Sequence, residues 1–95
     1  MSTPTFALPA VLTHAQAQAT AQALVASVQA EPQLTLDASA LQQFDSSALA
    51  VLLAGMRAAS AQGGRLTVHG LPARAASLAR VYGLADLLQL PASSA

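Results

Sequence analysis

Two five-residue stretches constrain this chain more than anything else in it. Leu34-Thr35-Leu36-Asp37-Ala38 and Arg65-Leu66-Thr67-Val68-His69 each alternate apolar and polar side chains, the period of a half-buried β-strand. Between them lies a segment with leucines and a methionine at 49, 52, 53 and 56, the three-and-four spacing of a helix with one core-facing side. A strand, a helix and a second strand in so short a span imply a crossover unit, with the strands parallel and the helix on one face.

The flanking sequence extends the same alternation. Phe6 to Leu12 is apolar but broken by Pro9, which has no N–H for a ladder, so it suits an edge strand or a bulge. Thr13 can cap a helix running to the break at Glu31-Pro32. Along it Ala17, Ala21, Leu24, Val25 and Val28 fall on one side, and Gln18, Gln22 and Gln29 on the other. The second helix is expected at or just after Asp45 and ends at Gly63-Gly64, residues suited to a left-handed cap. Pro72 at a first helical position opens a third, with Leu71, Ala75, Leu78 and Val81 or Tyr82 facing the core and Gly83 closing it. Leu84, Leu87, Leu88 and Leu90 then read as core closure. The expected fold is an α/β single domain over residues 6–90, a small mainly parallel or mixed sheet covered by helices, with frayed ends at 1–5 and 91–95.

Composition removes several functions. Only 8% of the residues are charged, and the four cations, Arg57, Arg65, Arg74 and Arg80, are scattered and accompanied by no lysine. Phosphate neutralisation by a basic patch, and with it nucleic-acid binding, is not expected. With no cysteine there is no disulfide frame and no thiolate. His14 and His69 have no metal-ligand spacing, so no metal or cofactor is expected. Gly63-Gly64 lacks the Gly-Lys-Ser/Thr of a phosphate loop, and no Gly-x-Ser-x-Gly elbow surrounds Ser46, so an enzyme is not expected either. Met1 to Ala10 lacks the basic start and long apolar centre of a signal peptide, which points to the cytosol.

Asp45-Ser46-Ser47 stands at the start of the second helix, where unpaired backbone N–H groups favour caps, carboxylates and phosphate. These are also ordinary capping residues, and the residues alone leave both readings open. The side of that helix turned from Leu49 and Met56 carries Ser47, Ala50, Val51, Ala54, Arg57, Ala58 and Ala61, small side chains with one charge. A face of this kind suits the close approach of another backbone, whether a partner's or that of a second copy when the domain is isolated; an alanine-rich composition would also account for it.

Leu34-Thr35-Leu36-Asp37-Ala38-Ser39 followed by Phe44-Asp45-Ser46-Ser47-Ala48-Leu49 resembles the STAS signature, a strand leading to a D-S/T-x-G/A-L turn that opens a helix. The segment Leu78-Ala79-Arg80-Val81-Tyr82-Gly83-Leu84 is most similar to the MlaB-like STAS subunits of phospholipid ABC transporters. Ala48 replaces the glycine of many members, and the opening hairpin looks shortened. The resemblance implies a non-catalytic protein docking through Asp45, Ser46, Ser47, Ala50, Val51, Ala54, Arg57 and Tyr82 onto an MlaF-like ATPase subunit, at the cytoplasmic side of the inner membrane. It implies no direct contact with lipid or nucleotide. It also offers an alternative, an anti-sigma-factor antagonist in which Ser46 is the phosphoacceptor.

Overall fold

The computed structural model describes residues 4–31 and 33–84. Both alternating stretches are strands, and all strand pairing is parallel. β1 (Thr5–Ala7), β3 (Gln33–Asp37) and β5 (Arg65–His69) form a three-stranded sheet in the order β1-β3-β5. The strands are linked through α1 (His14–Ala30) and α2 (Ser46–Ala61), and α3 (Ala73–Val81) follows β5. Right-handed crossovers that always step the same way along a sheet leave their helices on one face. α1 and α2 accordingly pack mainly on each other, and the strands turn Leu34, Leu36 and Leu66 inward to them. The opposite face carries Thr35, Thr67, Asp37 and His69 in register across the strands.

Pro9 does divide the first apolar stretch, but into two strands that belong to different sheets. β1 begins at Thr5, inside the stretch expected to fray, and Pro4 accepts the Thr35 amide at 2.9 Å. β2 (Val11–Leu12) pairs with β4 (Gln43–Phe44), a short parallel ladder that the sequence reading did not contain. No hairpin joins β1 to β2.

Helix boundaries follow the expected caps. α1 starts after Thr13, whose N–H donates to the Gln16 side-chain carbonyl at 3.0 Å, and it buries Leu24 and Val28. α2 and α3 both end in paired bonds around a left-handed glycine. Gly63 and Gly64 donate to Ser60 and Ala59, while Gly83 and Leu84 donate to Arg80 and Ala79.

Two expectations about helix faces need correction. Val51, assigned to the outward face of α2, is 1% exposed. Because α2 packs on α1 as well as on the sheet, its buried arc takes in Ala48, Leu49, Val51, Leu52, Gly55 and Ala59, wider than one stripe. Leu53 and Met56, assigned to the core, are half-buried at the margin of that arc. On α3 the buried residues are Ala75 and Ala79, and Val81 and Tyr82 stand 81% and 57% exposed. Small alanines let that helix lie close; Leu71 and Leu78 pack partly buried against the core as expected, while Val81 and Tyr82 are left outside. Pro72 is the residue before the first helical position. Leu84 packs on the core, while Leu87, Leu88, Leu90 and residues 91–95 lie outside the described residues.

Candidate functional site

The short β2–β4 ladder builds the site. Each of its strands runs straight into the cap of a helix, β2 into Thr13 and β4 into Asp45, so pairing them sets the N-termini of α1 and α2 side by side. The ladder is extended by the amides of Gln42 and Gln43, which donate to the Ala10 carbonyl at 2.8 and 2.9 Å.

Asp45 joins the two helices. Its Oδ1 accepts the Ser47 amide at 2.8 Å, the expected cap of its own helix, and its Oδ2 accepts the His14 amide of α1 at 3.2 Å. The Ser47 amide, with a smaller part from His14, holds the carboxyl below its ordinary pKa against the opposing effect of desolvation. With both oxygens on backbone amides, Asp45 is not placed to orient an imidazole, and Ser46, Asp45 and His14 do not form a relay.

Ser46 is the first residue of α2 and is exposed; its hydroxyl has no hydrogen-bond partner among the described residues. It stands at the rim of a shallow, mainly apolar groove of about 370 Å³ whose walls are Leu49, Ala50 and Leu53 from α2 and Tyr82 and Leu84 from beyond α3. A second hollow continues along α2, lined by Leu53, Met56, Arg57, Ser60 and Leu84.

The residues singled out in the sequence therefore divide into three groups. Ser46, Ala50 and Tyr82 meet in one groove, and Arg57 lies in its continuation. Ala54 is half-buried on the same helix; Asp45 and the half-buried Ser47 form the cap beneath. Val51 is in the core and away from this surface. Leu49, Leu53 and Leu84 were read as core only, although they also floor the groove. The spacing of Leu49, Leu53 and Met56 was the available signal, since that row lies to one side of the line through Ala48, Leu52 and Ala59. Arg74, one of the four scattered cations, lies over the Phe44 ring of β4 at 5.3 Å from its centre, next to the Asp45 cap. Among the described residues no three His, Asp or Glu side chains gather into a metal site, and no helix is long and apolar enough to cross a membrane.

A parallel α/β domain with both crossover helices on one face, and an aspartate-capped helix that opens on an exposed serine, has the architecture of a STAS-like domain. Comparison with family models makes the class specific: the model described as "Mlab, STAS domain" matches residues 2–89, and the chain belongs to that family. No curated protein matches the sequence.

Proposed function

We propose that this chain is the non-catalytic STAS subunit of an Mla-type phospholipid-transport ABC complex, held at the cytoplasmic side of the inner membrane by binding the ATPase subunit. In that role it supports assembly or activity of a machine that maintains outer-membrane lipid asymmetry, and it touches neither lipid nor ATP itself. Membership of the MlaB-type family supports this reading. The observation that carries the site is the exposed Ser46 hydroxyl, without a hydrogen-bond partner among the described residues, in a groove shared with Ala50 and Tyr82. Asp45, Ser47, Ala54 and Arg57 surround that contact, whereas Val51 supports it from within.

The test is a pull-down from the source cell with wild type and Ser46→Glu, and identification of the bound proteins. Recovery of an ABC ATPase by wild type and its loss with Ser46→Glu is the expected result. An identical partner set for both proteins would leave Ser46 as an ordinary first residue of α2 with no part in binding.

A second reading, an anti-sigma-factor antagonist, draws on the same exposed hydroxyl: a kinase can reach Ser46, and a phosphate there adds close to two negative charges beside Asp45. Recovery of a serine kinase or a sigma-factor regulator in the same pull-down would select it.

A further inference from the structure

α3 rests on the domain through small side chains. It buries Ala75 and Ala79, with Leu78 partly covered, and among the described residues no hydrogen bond joins it to another element. At its far end the amides close on the helix itself, Tyr82 onto Leu78 and Leu84 onto Ala79. Alanines let a helix lie close but do little to fix its rotation about its own axis, because they raise no ridge to interlock with a groove.

One side chain reaches across. Arg74, the second residue of α3, sets its guanidinium over the Phe44 ring of β4. A cation in a first turn faces the positive end of the helix dipole, so α3 itself gives Arg74 nothing favourable, whereas the electron-rich face of the ring does. The contact is placed to matter at the groove. β4 runs directly into Asp45 and Ser46, α3 runs directly into Tyr82, and Ser46 and Tyr82 stand on opposite walls. A short helix rolls as one body, so an azimuth held at Arg74 is held about two turns later at Tyr82.

We propose that Arg74 is a positioning residue for the groove: by clasping Phe44 it fixes the roll of α3, and so the place of Tyr82 opposite Ser46. The geometric part concerns this chain alone, and its consequence for binding rests on the proposed function.

Tyr82 is the only tyrosine and there is no tryptophan, so its ring resonances and fluorescence report on that position alone. In the full-length chain the Arg74 δ-methylene and Nε–H resonances are expected upfield of their coil positions, and back at them in Phe44→Leu. Arg74→Gln is expected to move the Tyr82 ring resonances and the Ser46 and Ala50 amides. Arg74→Lys, which keeps a cation over the ring but not its flat stacking, should restore them in part, and Arg65→Gln, an equal loss of charge on β5, should leave them alone. A residue that only stabilised the fold would lower the melt without moving Tyr82. Coil positions for Arg74 in wild type, or Tyr82 signals unaltered by Arg74→Gln, would overturn the proposal. ATPase affinity gives a second arm: Arg74→Gln and Phe44→Leu should each weaken it about two- to fivefold, and the double substitution no further than either alone. Losses that multiply would also overturn the clasp. If wild type binds no ATPase, the proposed function fails, and the Tyr82 signals still decide the clasp.

Discussion

Gly55 offers the sharpest test of the packing that supports the site. It is buried in the middle of α2, and a methyl group added there would lie 2.6 Å from Leu24 Cδ2 and 3.0 Å from both Leu24 Cγ and Leu66 Cδ2. Carbon atoms in comfortable contact stand about 3.5–4.0 Å apart, so the nearest atom must retreat by about 1 Å. Leu24 is 0% exposed and Leu66 2%, so neither side chain can swing into water. Alanine in a helix interior gains about 1 kcal/mol over glycine, whereas overpacking a filled core costs typically about 1–3 kcal/mol. The clash wins: Gly55→Ala is expected to lose about 1 kcal/mol, a fall of about 4–8 °C in a domain of this size. Urea melts followed by far-UV circular dichroism give the value, with the slope unchanged. The same substitution in a Leu24→Ala background must reverse sign, because the new methyl then enters the space Leu24 vacated and the helix preference is left uncovered. If Gly55→Ala stabilised the wild type, or acted equally in both backgrounds, α1 and α2 would not meet as closely as described.

Other substitutions separate neighbouring residues by mechanism. Gly70→Ala should cost more than about 2 kcal/mol, because φ is +71° and the new Cβ would lie 2.9 Å from the Ser39 Cβ and 3.2 Å from its backbone. Gly63→Ala, at the same φ with nothing within 4 Å, should cost only about 1 kcal/mol in the same melt. Val51→Asp should abolish the cooperative melt by burying an unpaired carboxylate, while Ala50→Arg leaves the melt unchanged and, on the proposed function, removes ATPase binding. The Ser47 amide on Asp45, and the Ser39 hydroxyl and amide on Asp37, lower both carboxyl pKa values on folding. The unfolded chain then binds more protons near pH 4, so this stabilisation is complete at neutral pH and is lost as the pH falls through the ordinary aspartate range and below. Asp45→Asn should flatten that acid limb, and an unchanged limb would refute the role given to Asp45.

The strands and caps were legible because their signals are local. Alternation marked β3 and β5 within a residue, Thr13 and Asp45 marked the starts of α1 and α2, and paired glycines marked the end of α2. The misplaced residues depend on what lies opposite them. A two-residue strand such as Gln43–Phe44 has no period, and only its partner Val11–Leu12, far back in the chain, makes it a strand. Val51 looked exposed because a single stripe was drawn on α2, and the sequence does not announce that α1 and the sheet together bury more than one stripe. Tyr82 looked internal on apolar spacing, yet it is Ala75 and Ala79 that α3 buries, with Leu78 partly covered, and Val81 and Tyr82 at the end of the helix were left outside.

If Ser46 is the control point that the proposed function makes it, the Asp45 geometry decides how a charge there is felt. One carboxylate caps α2 and also accepts the first amide of α1, so the nearest amides at the paired N-termini are already engaged and their partial charge largely answered. A negative charge added at Ser46 then meets an ionised neighbour. It is not absorbed into the helix terminus but shown on the rim of the groove, where an unmodified serine presents a neutral hydroxyl. Since the caps are unaltered, the domain is expected to keep its fold while the rim of the groove goes from neutral to negative, as the proposed switch would require. Ser46→Ala should therefore retain more binding than Ser46→Glu at equal thermal stability, and the reverse order would mean that the partner favours a negative charge at this position.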